Sequence, residues 1–196
     1  MTTTHYPGMV SSDYELFHYR DELKFMSDGH IQPFNKLPLD ILAAIQDLIS
    51  NETQDVQGFL INGFENNPCS GNAVETFAYC RFGGLDFTAD FKVSAAHYEG
   101  TIKIQDGEYW DCPVRGSCAA EGVLCKMPVV NGERLLPVDV QIMKLLHTSD
   151  TNEMIADRLD LPMGTYHLYK KNLYRKLGNL QTRHEVTRVA DSLNIR

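Results

Sequence analysis

Apolar residues change their spacing along this chain, and the changes divide it. Residues 38–50, PLDILAAIQDLIS, place Leu39, Leu42, Ile45, Leu48 and Ile49 on one helical stripe. Pro38 at the start and Asp40 in the first turn are favourable helix openers, so a helix with a core-facing stripe is predicted. Ser12-x-x-Glu15 has the form of a capping box, which predicts a first helix over residues 12–26. Residues 51–71 are rich in Asn, Gly and Gln and read as loop. Residues 74–82 carry Phe77, Tyr79 and Phe82 and read as a strand, and Gly83-Gly84 reads as a turn. Val93 and the alternation in Thr101-Ile102-Lys103-Ile104 predict two more short strands within residues 87–104. Residues 105–133 show no period. From residue 134 onward the pattern is helical throughout.

These elements give an α+β N-terminal domain with a cysteine-rich segment over residues 1–133. An all-α domain of four helices follows over residues 134–196, with the Asn131-Gly132 turn at the junction. No run of about 18 apolar residues occurs, so no membrane span is expected. The N-terminus lacks a basic region followed by an apolar core, so the expected compartment is the cytoplasm. The chain has 43% hydrophobic and 22% charged residues, the balance of a folded protein. Its net charge of −8 is unevenly placed. Residues 134–196 hold ten Lys/Arg against seven Asp/Glu, a net +3, and residues 1–133 hold eight against nineteen, a net −11. A mildly basic tail on an acidic body suits a protein whose nucleic-acid contact is confined to one end.

The tail has an internal order. Val140, Ile142, Met143, Leu145 and Leu146 make residues 138–146 an amphipathic helix. Residues 152–159 form a short helix capped by Thr151 or Asp150, with Ile155, Ala156 and Leu159 as packing residues. Residues 162–177 form a longer one. Tyr166, Leu173 and Leu177 share its inner face, with Tyr169 or Lys170 completing the stripe. Gly164, His167, Leu168, Lys171 and Arg175 lie on the opposite face. Gly178 stops this helix, and Thr182-x-x-Glu185 opens a last one. Two helices meeting at a turn, the second with a free cationic face, is the layout of a helix-turn-helix. A major groove about 12 Å wide admits such a helix. The residues expected to meet DNA are Thr151, Asn152, Thr165, His167, Leu168, Lys170, Lys171, Arg175 and Lys176. Thr165 sits where a hydroxyl and backbone N–H groups hold a phosphate, and the cations supply salt-dependent phosphate contacts.

This segment resembles the DNA-binding domain of the LuxR/GerE family of bacterial transcription regulators. The resemblance rests on Leu136-Pro137, Thr151-Asn152, Ile155-Ala156, Leu159, Thr165 and Tyr174-Arg175-Lys176-Leu177-Gly178. There are departures. Met154 stands where the family carries Glu, Tyr166, His167 and Tyr169 replace Val, Lys and His, and Lys170 occupies an apolar position. The resemblance implies a homodimer joined through the last helix on a two-fold-related DNA site. It does not extend to residues 1–133. Those residues show neither the ordered Asp, Thr and Lys of a phosphorylated receiver nor the tryptophan content of a lactone-binding domain.

Five cysteines, at 69, 80, 112, 118 and 125, are an odd set that argues against a disulfide framework. Cys112, Cys118 and Cys125 fall within 14 residues, separated by Gly116 and Gly122, and can fold round one ion. Cys80 is the expected fourth ligand, with Cys69 and His97 as alternatives. Four thiolates suit structural zinc or an iron–sulfur cluster. Reduced or redox-reactive thiols remain a competing reading. No phosphate-binding Gly-rich loop, His-Glu-x-x-His or Gly-x-Ser-x-Gly occurs, so no enzyme is expected. The expected function is sequence-specific binding of double-stranded DNA, with RNA polymerase recruited or excluded and the N-terminal domain supplying metal binding, sensing or partner contact. The alternative is a protein-interaction adaptor whose helix-turn-helix does not read DNA.

Overall fold

The computed structural model describes residues 5–20, 22–69, 71–93, 102–193 and 195. His97 lies outside these residues. The chain divides into two compact units, Met1–Lys126 and Met127–Arg196. None of the helices among the described residues is long and apolar enough to cross a membrane.

The first unit is α+β. It opens on an antiparallel sheet of β1 (Glu15–Tyr19), β2 (Glu22–Ser27) and β3 (His30–Pro33). Residues 12–26 are therefore two strands and not a helix. Glu15 caps no helix; it pairs with Met26 and is fully buried. Leu16, Leu23 and Phe25 send their side chains into the core, and such alternation needs strand geometry. The β2–β3 connection is Asp28-Gly29, both at positive φ (48° and 74°), the two-residue hairpin that Asp-Gly favours. That dipeptide was the local signal for β3.

Three helices follow: α1 (Leu39–Ser50), α2 (Gln54–Asn62) and α3 (Ala73–Phe82). In α1 the fully inward residues are Ile41, Ile45 and Ile49, while Leu39 is 84% exposed and stands off the expected stripe. Residues 54–62 are helical where loop was expected, because Thr53 caps Val56 N–H and Gln57 Nε2 donates to Ile49, Ser50 and Glu52 carbonyls at the end of α1.

The largest correction is α3, which stands where a strand was expected. The Asn72 side chain accepts from Val74 and Glu75 N–H and starts the helix. Thr76 to Phe82 are then buried on every side, packed against β1, α1 and α2. A helix buried all round shows no 3.6-residue contrast, so its pattern reads as a strand. The short antiparallel pair of β4 (Phe91–Val93) and β5 (Ile102–Ile104) matches the two strands expected there.

The second unit begins with a small hairpin, β6 (Val129–Val130) and β7 (Glu133–Arg134), turning through Asn131 and Gly132 at positive φ. Residues 127–133, assigned from the sequence to the first domain, belong here; Leu135 N–H donates to the Pro128 carbonyl behind the hairpin. Then come α4 (Pro137–Leu145), α5 (Asn152–Arg158), α6 (Met163–Lys176) and α7 (Arg183–Ser192). α6 and α7 both pack on α4, around Val140, Ile142, Met143, Ile155, Tyr166, Leu173 and Val186. Arg183 ties α7 to the end of α4, donating to the carbonyls of Leu146 (2.7 Å), Asp150 (2.8 Å), Leu145 (3.3 Å) and Thr148.

Candidate nucleic-acid interface and candidate metal centre

In the second unit the helix pair α5–α6 is set by its ends. The Thr151 hydroxyl accepts from Met154 N–H, so Thr151 and not Asp150 caps α5. α5 ends with Asp160 at φ 52° and Leu161 N–H donating to the Ala156 carbonyl, a Schellman arrangement that turns the chain sharply into α6. Ala156 is fully buried at this close approach. α6 ends differently, with Gly178 and Asn179 both at positive φ (103° and 58°) and Leu180 N–H donating to the Tyr174 carbonyl.

On α6, Tyr166 and Leu173 are fully buried, and Leu177 lies just beyond them. Gly164, His167, Leu168, Lys171, Asn172 and Arg175 are exposed on one continuous face. Asn172 is the member of this face that the sequence reading omitted; its spacing from Leu168 would have found it. Leu168 is 57% exposed, an apolar side chain in the middle of the polar face. Thr165 is half-buried in the first turn.

The remaining residues expected at DNA are already engaged within the unit. Asn152 Oδ1 accepts from the Tyr166 hydroxyl (3.1 Å) and from Lys170 Nζ (2.9 Å). Lys170 thus points toward α5, and its pKa is lowered by burial and then by the Arg183 charge. Lys176 Nζ meets Asp139 Oδ2 at 2.6 Å, with the carboxylate side chain only 2% exposed. Arg175 forms a bidentate pair with Glu133 on β7, at 2.6 and 2.8 Å, in the open. Among the expected cations, Lys171 has no ion pair among the described residues.

In the first unit the segment after β5 is shaped by Trp110 and Arg115. Trp110 Nε1 donates to the Tyr79 carbonyl on α3, and its ring lies against Gly83, where a Cβ would come within 2.6 Å of it. Arg115 is almost fully buried. Its Nε donates to the Trp110 carbonyl (2.7 Å), Nη1 approaches Cys125 Sγ (3.5 Å) and Glu121 Oε1 (3.6 Å), and its guanidinium lies 4.2 Å over the Tyr109 ring. Gly116 and Gly122 turn at φ 85° and 76°. Gly122 N–H donates to Cys125 Sγ at 3.3 Å.

Cys80, Cys112, Cys118 and Cys125 line one cavity of about 20 Å³, together with Pro68, Trp110, Arg115, Ala120 and Glu121. That volume suits a single water-sized occupant. Cys80 therefore joins the other three although it comes from a helix and not a strand. Cys69 does not line the cavity; its sulfur accepts from Gly71 N–H. All five cysteines are free thiols. Burial first, and then the negative charge of the neighbouring cysteines, pushes the Cys80 thiol far up; burial also raises Cys112 and Cys118. Four thiolates cannot share this space uncompensated, and a cation of charge two or more is what would let them ionise. Among the described residues no three of the sulfurs lie within 4.8 Å of one another. A tetrahedral zinc with Zn–S near 2.3 Å needs about 3.8 Å between sulfurs, so the thiols would have to draw inward by side-chain rotation.

Residues 137–190 match the family model of bacterial regulatory proteins, luxR family. No curated protein and no solved structure matches the chain.

Proposed function

We propose that this chain, whose C-terminal unit is a LuxR/GerE-type helix-turn-helix domain, regulates transcription by laying the exposed face of α6 in the major groove of double-stranded DNA. The observation that carries this reading is that face itself: Gly164, His167, Leu168, Lys171 and Asn172 are exposed on α6, which follows the hydrogen-bonded α5–α6 turn. Leu168 would meet a thymine methyl, Asn172 a base edge, and Lys171 a phosphate, while Thr165 and the first turn of α6 would hold another phosphate. A homodimer joined through α7, and contact with RNA polymerase, belong to the same reading. The exposure of Leu168 and Met154 also favours a second reading, an adaptor that docks a protein on this face.

A salt series on genomic DNA fragments separates the two. Lys171→Glu should remove binding at moderate salt, because one phosphate contact is lost and repulsion added. Glu133→Gln should do the opposite. It releases Arg175 from its exposed pair, so affinity rises and the slope of log affinity against log salt steepens by about 1. No measurable affinity at low salt, with both variants behaving as the parent, would favour the adaptor.

For the first unit the proposed role of Cys80, Cys112, Cys118 and Cys125 is a structural or sensing metal centre, zinc or alternatively an iron–sulfur cluster. The shared cavity, sized for one ion, supports zinc ahead of the cluster, and the buried Arg115 beside Cys125 offsets thiolate charge. Purification without air, followed by metal analysis and a visible spectrum, distinguishes the two occupants. A colourless, metal-free and folded protein would leave the thiols as reduced structural or redox groups.

A further inference from the structure

A second cluster in the first unit is made of carboxylates. Glu15 at the start of β1, Asp86 in the loop after α3, and Glu108 in the segment after β5 each bring one oxygen within 4.8 Å of the other two. They come from three separate stretches of chain, and backbone groups aim them. Glu15 Oε1 accepts from Asp86 N–H at 2.9 Å, and Glu108 Oε1 accepts from Gly84 N–H at 2.7 Å. In each case the second oxygen, Oε2, is buried and has no hydrogen-bond partner. Glu15 is fully buried, so this is an unpartnered polar atom with no access to water. Asp90, also fully buried, lies close by, with its own oxygens held by Leu16 N–H and the Gln105 amide. None of these four acids has an ion-pair partner among the described residues. Leaving a carboxylate oxygen buried and unsatisfied is costly, and two in one cluster compound the cost.

We infer that Glu15, Asp86 and Glu108 form a binding site for a hard divalent cation of the Mg²⁺, Mn²⁺ or Ca²⁺ class. The geometry is suitable. An equilateral triangle of oxygens with a 4.8 Å edge has its centre about 2.8 Å from each, and small closure brings this to the 2.0–2.6 Å bonds such ions take. The two free Oε2 atoms supply the missing interactions, and Asp86 leaves the site a partly open side for water ligands. Oxygen-only donors select this class of ion over the thiolate-seeking metals suited to the cysteine cavity. Burial, and then the Asp86 charge, holds Glu15 up to about 8; burial, the Asp86 charge and a side-chain hydrogen bond with Asp86 hold Glu108 up to about 9, as expected of acids packed together without a counter-charge. A bound cation would lock β1, the loop after α3 and the approach to Trp110 to one another.

The test uses the full chain and Mn²⁺, with free Mn²⁺ followed by its paramagnetic resonance signal. Uptake stoichiometric with protein is expected, reversed by excess Ca²⁺ or Mg²⁺. Glu108→Gln and Asp86→Asn, at the partly exposed side of the cluster, should abolish uptake while the Trp110 fluorescence and melting curve stay near those of the parent. Cys69→Ala, which leaves both the cysteine cavity and the three acids intact, should take up Mn²⁺ as the parent does. Absence of Mn²⁺ and Ca²⁺ uptake at millimolar ion, or unchanged uptake by Glu108→Gln, would identify the trio as hydrogen-bonded neutral acids and overturn the site.

Discussion

Cys80→Ala is expected to destabilise the first unit far more than Cys69→Ala, although both cysteines are buried in the same core. Removal of a small buried side-chain atom costs on the order of 1 kcal/mol through lost packing, and Cys69→Ala should cost about that. Cys80 differs because it lines the four-sulfur cavity. If the cavity holds a metal, its loss withdraws binding energy that folding depends on, for structural zinc about 10–16 kcal/mol in apparent terms. The expected result is a metal-free Cys80→Ala protein whose first unit has lost its tertiary structure, and a chelator acting on the parent should reproduce it. Trp110, the single tryptophan, reports the outcome directly, since it lines the same cavity and hydrogen-bonds to α3. Red-shifted emission in Cys80→Ala and unshifted emission in Cys69→Ala is the expected pair. Equal, small effects of both substitutions would remove the metal from the account.

Lys176→Ala is expected to cost the second unit about 3–5 kcal/mol, the penalty for stranding a buried charge. Asp139 is the charge stranded. It is buried, it accepts from Leu136 N–H at the start of α4, and Lys176 neutralises it at 2.6 Å. The double variant Lys176→Met with Asp139→Asn should recover most of the loss, because the amide oxygen still accepts from Leu136 and no lone charge remains. Thermal melts of the three proteins check this. The outcome matters for function: loss of DNA binding in Lys176→Ala would follow from unfolding, and not from a missing phosphate contact. Equal stability of Lys176→Ala and the parent would return Lys176 to the DNA-facing set.

Much of the second unit was legible in the sequence because its signals are local. Thr151, Gly178 and the Thr182–Glu185 box act on N–H and carbonyl groups within a few residues of themselves. The two faces of α6 follow from a 3.6-residue period alone. Which cations on that face are free did not follow from it. Lys170, Arg175 and Lys176 are all expected at DNA from the sequence, and only the fold brings Asn152, Glu133 and Asp139 to them across 18, 42 and 37 residues.

The first unit shows the reverse balance. Its cysteine spacing pointed to a common cavity, and Gly116 and Gly122 supplied the positive-φ turns expected of them. Its topology stayed hidden for a physical reason. A helix buried on all sides, such as α3, has no polar face to set its period, and a strand whose first residue is a buried Glu mimics a capping box. By itself the sequence determined the helix-turn-helix and the clustering of Cys112, Cys118 and Cys125, because both depend on neighbours a few residues away. Tertiary structure alone decided the pairing of the cations, the choice of Cys80 over Cys69 at the cavity, and the meeting of Glu15, Asp86 and Glu108. Those depend on distances between segments far apart in the chain, which local spacing does not encode.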